Sequence, residues 1–122
     1  MVFGTSITAI LAVPDVKETA EYYRDRLGFS ITFLWGNPPT YGAVDVGGCQ
    51  VNFIKSESAS GEAGDRGGIY VGTSAVDEAY ERLAAQGVQC LSALGDREYG
   101  MRDFVALDLN GYRVCFGKPT VE

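Results

Sequence analysis

The chain has 122 residues, 46% apolar and 21% charged. That suffices for a domain with a hydrophobic core and excludes an intrinsically disordered chain. Ten basic residues stand against sixteen acidic ones, a net charge of −6, and such a chain repels a phosphate backbone, so nucleic acid is not an expected partner. No apolar run approaches a membrane span, and residues 1–3 lack the basic charge of a secretory leader. The expectation is a cytoplasmic protein without a membrane partner, its three cysteines Cys49, Cys90 and Cys115 reduced. Histidine is absent, which removes the usual general base and the commonest transition-metal ligand.

Residues 6–13 are β-branched and aliphatic and predict a strand. Pro14-Asp15 opens a helix on which Ala20, Tyr23 and Leu27 recur at helical spacing, and Gly28 ends it. A second strand is predicted over 30–35. Residues 41–55 then form a hairpin about Gly47-Gly48. Residues 57–67 are polar and rich in Gly and Ser, a linker in which Glu57, Glu62 and Asp65 read as solvated charges. The order then repeats: a strand over 69–73, a helix striped by Val76, Ala79, Tyr80 and Leu83 and ended by Gly87, a strand over 88–94, and a hairpin about Asn110-Gly111.

The repetition extends to side chains. At an offset of 63 residues, Ala43, Asp45, Gly48, Val51, Phe53 and Lys55 recur as Ala106, Asp108, Gly111, Val114, Phe116 and Lys118. The chain therefore reads as one α+β domain of two tandem βαβββ modules, 5–56 and 68–118. Two-residue turns would pair Asp45 with Gln50 and Asp108 with Arg113. Strand alternation then gives the first hairpin an apolar face of Val44, Val46, Cys49, Val51 and Phe53, expected against a helix. Its other face holds Tyr41, Ala43, Asp45, Gln50, Asn52 and Ile54. The second hairpin is expected to bury Val105, Leu107, Leu109, Tyr112, Val114 and Phe116 and to turn Phe104, Ala106, Asp108, Arg113, Cys115 and Gly117 the other way. Such mixed faces suit a cavity lining; they equally suit a solvated sheet carrying an Asp108–Arg113 pair.

The duplicated unit, with Val13-Pro-Asp-Val, Tyr22-Tyr23-Arg24 and Leu27-Gly28-Phe29 in its first copy, resembles the vicinal-oxygen-chelate superfamily of glyoxalase I, extradiol dioxygenases and bleomycin-resistance proteins. The segment Tyr99-Gly-Met-Arg102-Asp-Phe104, followed by Asp108-Leu-Asn-Gly111, is similar to a signature of the bleomycin-resistance branch, with Leu109 where proline is usual. The resemblance implies a curved mixed sheet around a cavity. It also maps the metal-ligand positions of the enzymes onto Thr8, Asn52, Gly68 and Cys115, a set too poor in donors for a transition metal. No metal, no cofactor and no catalytic residue are therefore expected. The implied function is metal-free capture of a small molecule, cationic and aromatic, at the interface of a homodimer. The resemblance marks Tyr41 and Tyr99 as stacking residues, and Asp45, Asn52, Arg102, Asp108 and Cys115 complete the expected ligand-binding set. Two alternatives stand beside it: an enzyme of the same fold with a non-standard or absent metal site, and an accessory binding protein for an unrelated ligand. One of Tyr22 and Tyr23, and Cys90, read as core; Trp35 reads as core too, with a third stacking wall as its alternative.

Overall fold

The computed structural model describes residues 2–57 and 64–121; Glu62 lies outside them. The chain divides into two compact units, residues 1–59 and 60–122. Each carries one helix on a four-stranded mixed sheet.

In the first unit the elements are β1 (Ala9–Val13), α1 (Val16–Asp25), β2 (Ser30–Gly36), β3 (Pro39–Val46) and β4 (Cys49–Lys55). The strand order is β1-β4-β3-β2, with β1 and β4 parallel and the other pairs antiparallel. Asp15 caps α1, its carboxylate accepting the Glu18 amide at 2.9 Å, which satisfies one of the amides a helix start leaves without a partner. One stripe of α1 is sealed by Val16, Thr19, Ala20 and Tyr23. Tyr23 is fully buried, its ring 5.0 Å from Phe53 and 5.3 Å from Phe29. Tyr22 lies under the Arg26 guanidinium, 5.8 Å from its ring centre, so the pair divides between core and surface.

The first hairpin has the expected register, Asp45 opposite Gln50 and Val46 opposite Cys49. Gly47 and Gly48 both have positive φ, 54° and 83°, as a turn that follows the strand twist requires. Strand β2 carries a bulge. Ile31 faces Val44, yet Phe33 faces Ala43, so Thr32 is the extra residue. A bulge of one residue inverts every side chain beyond it. Phe33 and Trp35 therefore turn away from the helix, and Trp35 is 68% exposed. The expectation that Trp35 is a core residue is corrected.

The second unit repeats this plan with β5 (Gly68–Gly72), α2 (Val76–Ala85), β6 (Cys90–Asp96), β7 (Met101–Leu107) and β8 (Arg113–Pro119), in the order β5-β8-β7-β6. Its hairpin departs from the expected register by one residue. Leu107, not Asp108, faces Arg113, and Phe104 faces Phe116. The cause is Asp108, whose carboxylate accepts the amides of Asn110 at 2.8 Å and Tyr112 at 2.9 Å. The turn widens to residues 108–112, and only Gly111 in it has positive φ. The predicted faces of β7 are thereby exchanged. Phe104, Ala106, Val114 and Phe116 are buried on the helix side, Phe104 lying 5.0 Å from Tyr80 of α2 and stacked at 5.3 Å on Phe116. Asp103, Val105, Cys115 and Gly117 share the other face. The cysteines form no disulfide, and Cys90 is only partly buried.

Candidate functional site

Each sheet has one face under its helix and one open face. On the first sheet, Tyr41 and Asn52 meet. The Asn52 amide donates to the Tyr41 hydroxyl at 2.6 Å and accepts from the Gln50 amide at 2.7 Å. Phe33 lies beside Tyr41, ring centres 5.8 Å apart, and Trp35 stands opposite Tyr41 in the register. Ile10 and Ile54 flank them, 60% and 45% exposed. Asp45 sits at the hairpin end, where its carboxylate accepts the Gly48 amide at 3.4 Å. The result is an aromatic and aliphatic floor crossed by a short ladder of amides, suited to a flat ring with a polar edge.

The second sheet's open face centres on Asp103, which is 3% exposed. Its carboxylate accepts from Arg97 Nε at 2.9 Å, Tyr99 at 2.7 Å and Tyr70 at 2.9 Å. Burial works against its charge, but the hydrogen bonds of Arg97, Tyr99 and Tyr70 outweigh it and hold its pKa below the ordinary carboxylate value. Burial and the bond to Asp103 push the Tyr70 phenol up to about 12. The Tyr99 phenol is raised as well, first by its bond to the same carboxylate. Tyr99 nevertheless leaves most of its ring, 70% of the residue, in solvent. Burial and then the Asp103 charge raise the Cys115 thiol, which keeps it protonated at neutral pH.

Gly117, opposite Asp103 in the ladder, makes the arrangement possible. A Cβ there would overlap the Tyr70 hydroxyl and stand 2.8 Å from Asp103 Cβ. Gly117→Ala is therefore expected to displace Tyr70 from the carboxylate. Wild-type Tyr70 favours the folded state while its phenol is protonated, and that contribution disappears as pH rises through about 12. In the variant the transition should move back toward the ordinary ~10. Absorbance of tyrosinate on alkaline titration checks this; an unchanged late transition would count against the cluster.

Two residues of the expected ligand set stand elsewhere. Arg102 points to the helix side, where its guanidinium pairs with Asp77 of α2 at 2.9 Å and with Asp96 at 3.0 Å. It ties the first turn of α2 to its sheet. Asp108 is 6% exposed and its carboxylate shapes the turn. Conversely, sequence reasoning missed Asp103, Arg97, Tyr70 and Phe33. A Tyr-Gly-x-Arg-Asp segment holds the first of these, but only the corrected register reveals which of Arg102 and Asp103 faces outward.

The enzymes of the resembled superfamily hold a divalent ion, and the corresponding side chains here do not fit one. Asn52 has its amide committed to Tyr41 and Gln50. A side chain at Gly68 is excluded, because a Cβ would overlap the Arg113 backbone. Cys115 is a single thiol, and one thiolate does not make a transition-metal site. Among the described residues no group of three or more Cys, Asp or Glu side chains gathers as a metal site, and no helix is long and apolar enough to cross a membrane.

Comparison with known proteins gives a consistent picture. Residues 6–116 match the profile of the Glyoxalase/Bleomycin resistance protein/Dioxygenase superfamily. The uncharacterized protein YraH of Bacillus subtilis is 29% identical over 99 residues, covering 72% of this chain and 77% of YraH. Among solved structures, TioX from Micromonospora sp. ML1 superposes with a TM-score of 0.80 at 23% identity, over 95% of this chain and 99% of TioX. A glyoxalase/bleomycin resistance protein/dioxygenase from Nocardioides superposes with a TM-score of 0.81 at 19% identity, over 99% and 87% of the two chains. At such identities these structures are likenesses of fold.

Proposed function

The chain belongs to the Glyoxalase/Bleomycin resistance protein/Dioxygenase superfamily, and from that premise we propose that it is a metal-free small-molecule-binding protein of the antibiotic-sequestering kind. It acts by stoichiometric capture, in an aromatic-lined cleft at the interface of a homodimer. The observation that carries this reading is the open face of the first sheet. Phe33, Trp35 and Tyr41 lie there together, with Trp35 and Phe33 68% and 39% exposed. Apolar surface left uncovered on this scale marks a place for a ligand or a partner. The ladder of Gln50, Asn52 and Tyr41 supplies the few directed polar groups that orient a ligand in an apolar pocket. Asp45 at the edge of that face supplies a negative charge for a cationic group. A second copy placed over the face by a twofold axis would enclose the ligand.

The test is a fluorescence titration with a phleomycin-type ligand, using Trp35 as the reporter because it is the chain's one tryptophan. Binding should quench Trp35. Tyr41→Ala should weaken binding about fivefold, the equivalent of ~1 kcal/mol of stacking, at low and high salt alike. Asp45→Asn should instead flatten the salt dependence, because an exposed charge is screened over about 8–10 Å at physiological ionic strength. Absence of any binding overturns drug capture. Binding that Tyr41→Ala leaves untouched overturns the proposed floor.

A further inference from the structure

We infer that the open face of the second sheet selects aromatic ligands that donate hydrogen bonds, and discriminates against rings of the same shape that only accept them. The inference rests on the small-molecule reading above and names the ligand chemistry of this face. Tyr70 and Tyr99 donate to the same carboxylate oxygen, Oδ2 of Asp103, at 2.9 and 2.7 Å. A phenol has one proton to give. Given inward, it leaves each hydroxyl with only lone pairs for a ligand.

The polarity is fixed by what lies beneath. Asp103 is 3% exposed, and its other oxygen is taken by Arg97 Nε at 2.9 Å. Arg97 also donates to the Asp103 carbonyl at 3.0 Å. A tyrosine that swung its proton outward would strip a buried carboxylate of a partner, and an unmatched buried acceptor is costly. The Arg97 charge offsets that of Asp103, so the face does not require a full positive charge on the ligand. It requires an N–H or O–H. The rings themselves remain available, Tyr70 49% and Tyr99 70% exposed. A ligand therefore meets two aromatic surfaces, each edged by a hydroxyl that offers it lone pairs, while the Arg97 guanidinium beside them is turned to Asp103 and Ala93.

Indole and benzofuran have the same fused-ring shape and differ by N–H against O, so they isolate this choice. The experiment is an NMR titration of the full chain with each, following the signals of Tyr70, Tyr99 and their strands. Indole should bind this face at least about fivefold more tightly, the worth of one hydrogen bond of ~1 kcal/mol. The double variant Tyr70→Phe, Tyr99→Phe keeps both rings and removes both acceptors, and should bind the two probes within about twofold. Should that variant not fold, Asp103→Asn gives a second route: its amide donates to one hydroxyl, releases that hydroxyl's proton outward, and should narrow the preference in the same way. Equal wild-type affinity for indole and benzofuran, or shifts confined to the first sheet, overturns the inference and leaves the binding reading standing. No shift on either sheet with either probe overturns both.

Discussion

Phe104→Ala should cost about 3–5 kcal/mol of stability, the range for emptying a buried aromatic site, a large share of the roughly 5–15 kcal/mol that holds an ordinary domain folded. Phe104 is fully buried, edge-on to Tyr80 of α2 at 5.0 Å and stacked on Phe116 at 5.3 Å. It is the ring that joins helix to sheet in the second unit, and removing it forfeits both ring contacts along with the buried area. Urea unfolding followed by circular dichroism reads the loss. The result also separates the two registers of the β7–β8 hairpin. With Phe104 on the open face, as a two-residue turn would have it, truncation would cost little stability and alter ligand binding instead. A loss below about 1 kcal/mol would therefore restore the simpler turn.

Asp103→Ala should have the second largest effect, about 2–3 kcal/mol at neutral pH, the worth of hydrogen bonds to a charged group. Two tyrosine hydroxyls lose their acceptor, and the partly exposed Arg97 loses its counter-charge. The pH dependence has a definite sign. The folded-state pKa of Asp103 is depressed, so its contribution is fully present above the unfolded carboxylate value near 4 and is lost as pH falls through the lower folded value. Wild type and variant should differ most at neutral pH and converge in strong acid. A difference that persists unchanged in strong acid would show that the carboxylate charge is not what stabilises the cluster.

The repeat, the element order and the first hairpin were legible because each left a signal in adjacent residues. Gly47-Gly48 supplies two residues free to take positive φ, and the turn forms between them. Asn110-Gly111 looks equivalent. Its departure comes from a side chain two residues back, since Asp108 captures two amides and widens the turn. That competition between a carboxylate and a backbone turn is local, yet a dipeptide rule does not contain it. The same slip hid half of the candidate site. With β7 inverted, Arg102 looks outward and Asp103 inward, whereas Arg102 ties to α2 and Asp103 gathers Tyr70 and Tyr99. Tyr41 and Asn52 were legible because the first hairpin kept its register. Tyr70 and Arg97 were not, because they reach Asp103 across 33 and 6 residues of chain, and such meetings are set by sheet order rather than by periodicity.

The bulge at Thr32 bears on how such a protein changes over generations. Ile31, Phe33 and Trp35 alternate as a plain strand would to bury all three, and it is the one extra residue that sends the last two outward. The aromatic floor is thus governed by the bulge as much as by the composition of β2. Loss of Thr32 would make Ile31 and Phe33 neighbours opposite Val44 and Ala43, as they already pair, and would leave the floor in place. Were Thr32 instead drawn into the ladder, Phe33 and Trp35 would swing beneath the helix and Leu34 would come out in their place, with no side chain altered. A lineage built on this sheet has a route to a new ligand through whatever favours or disfavours the bulge at one position.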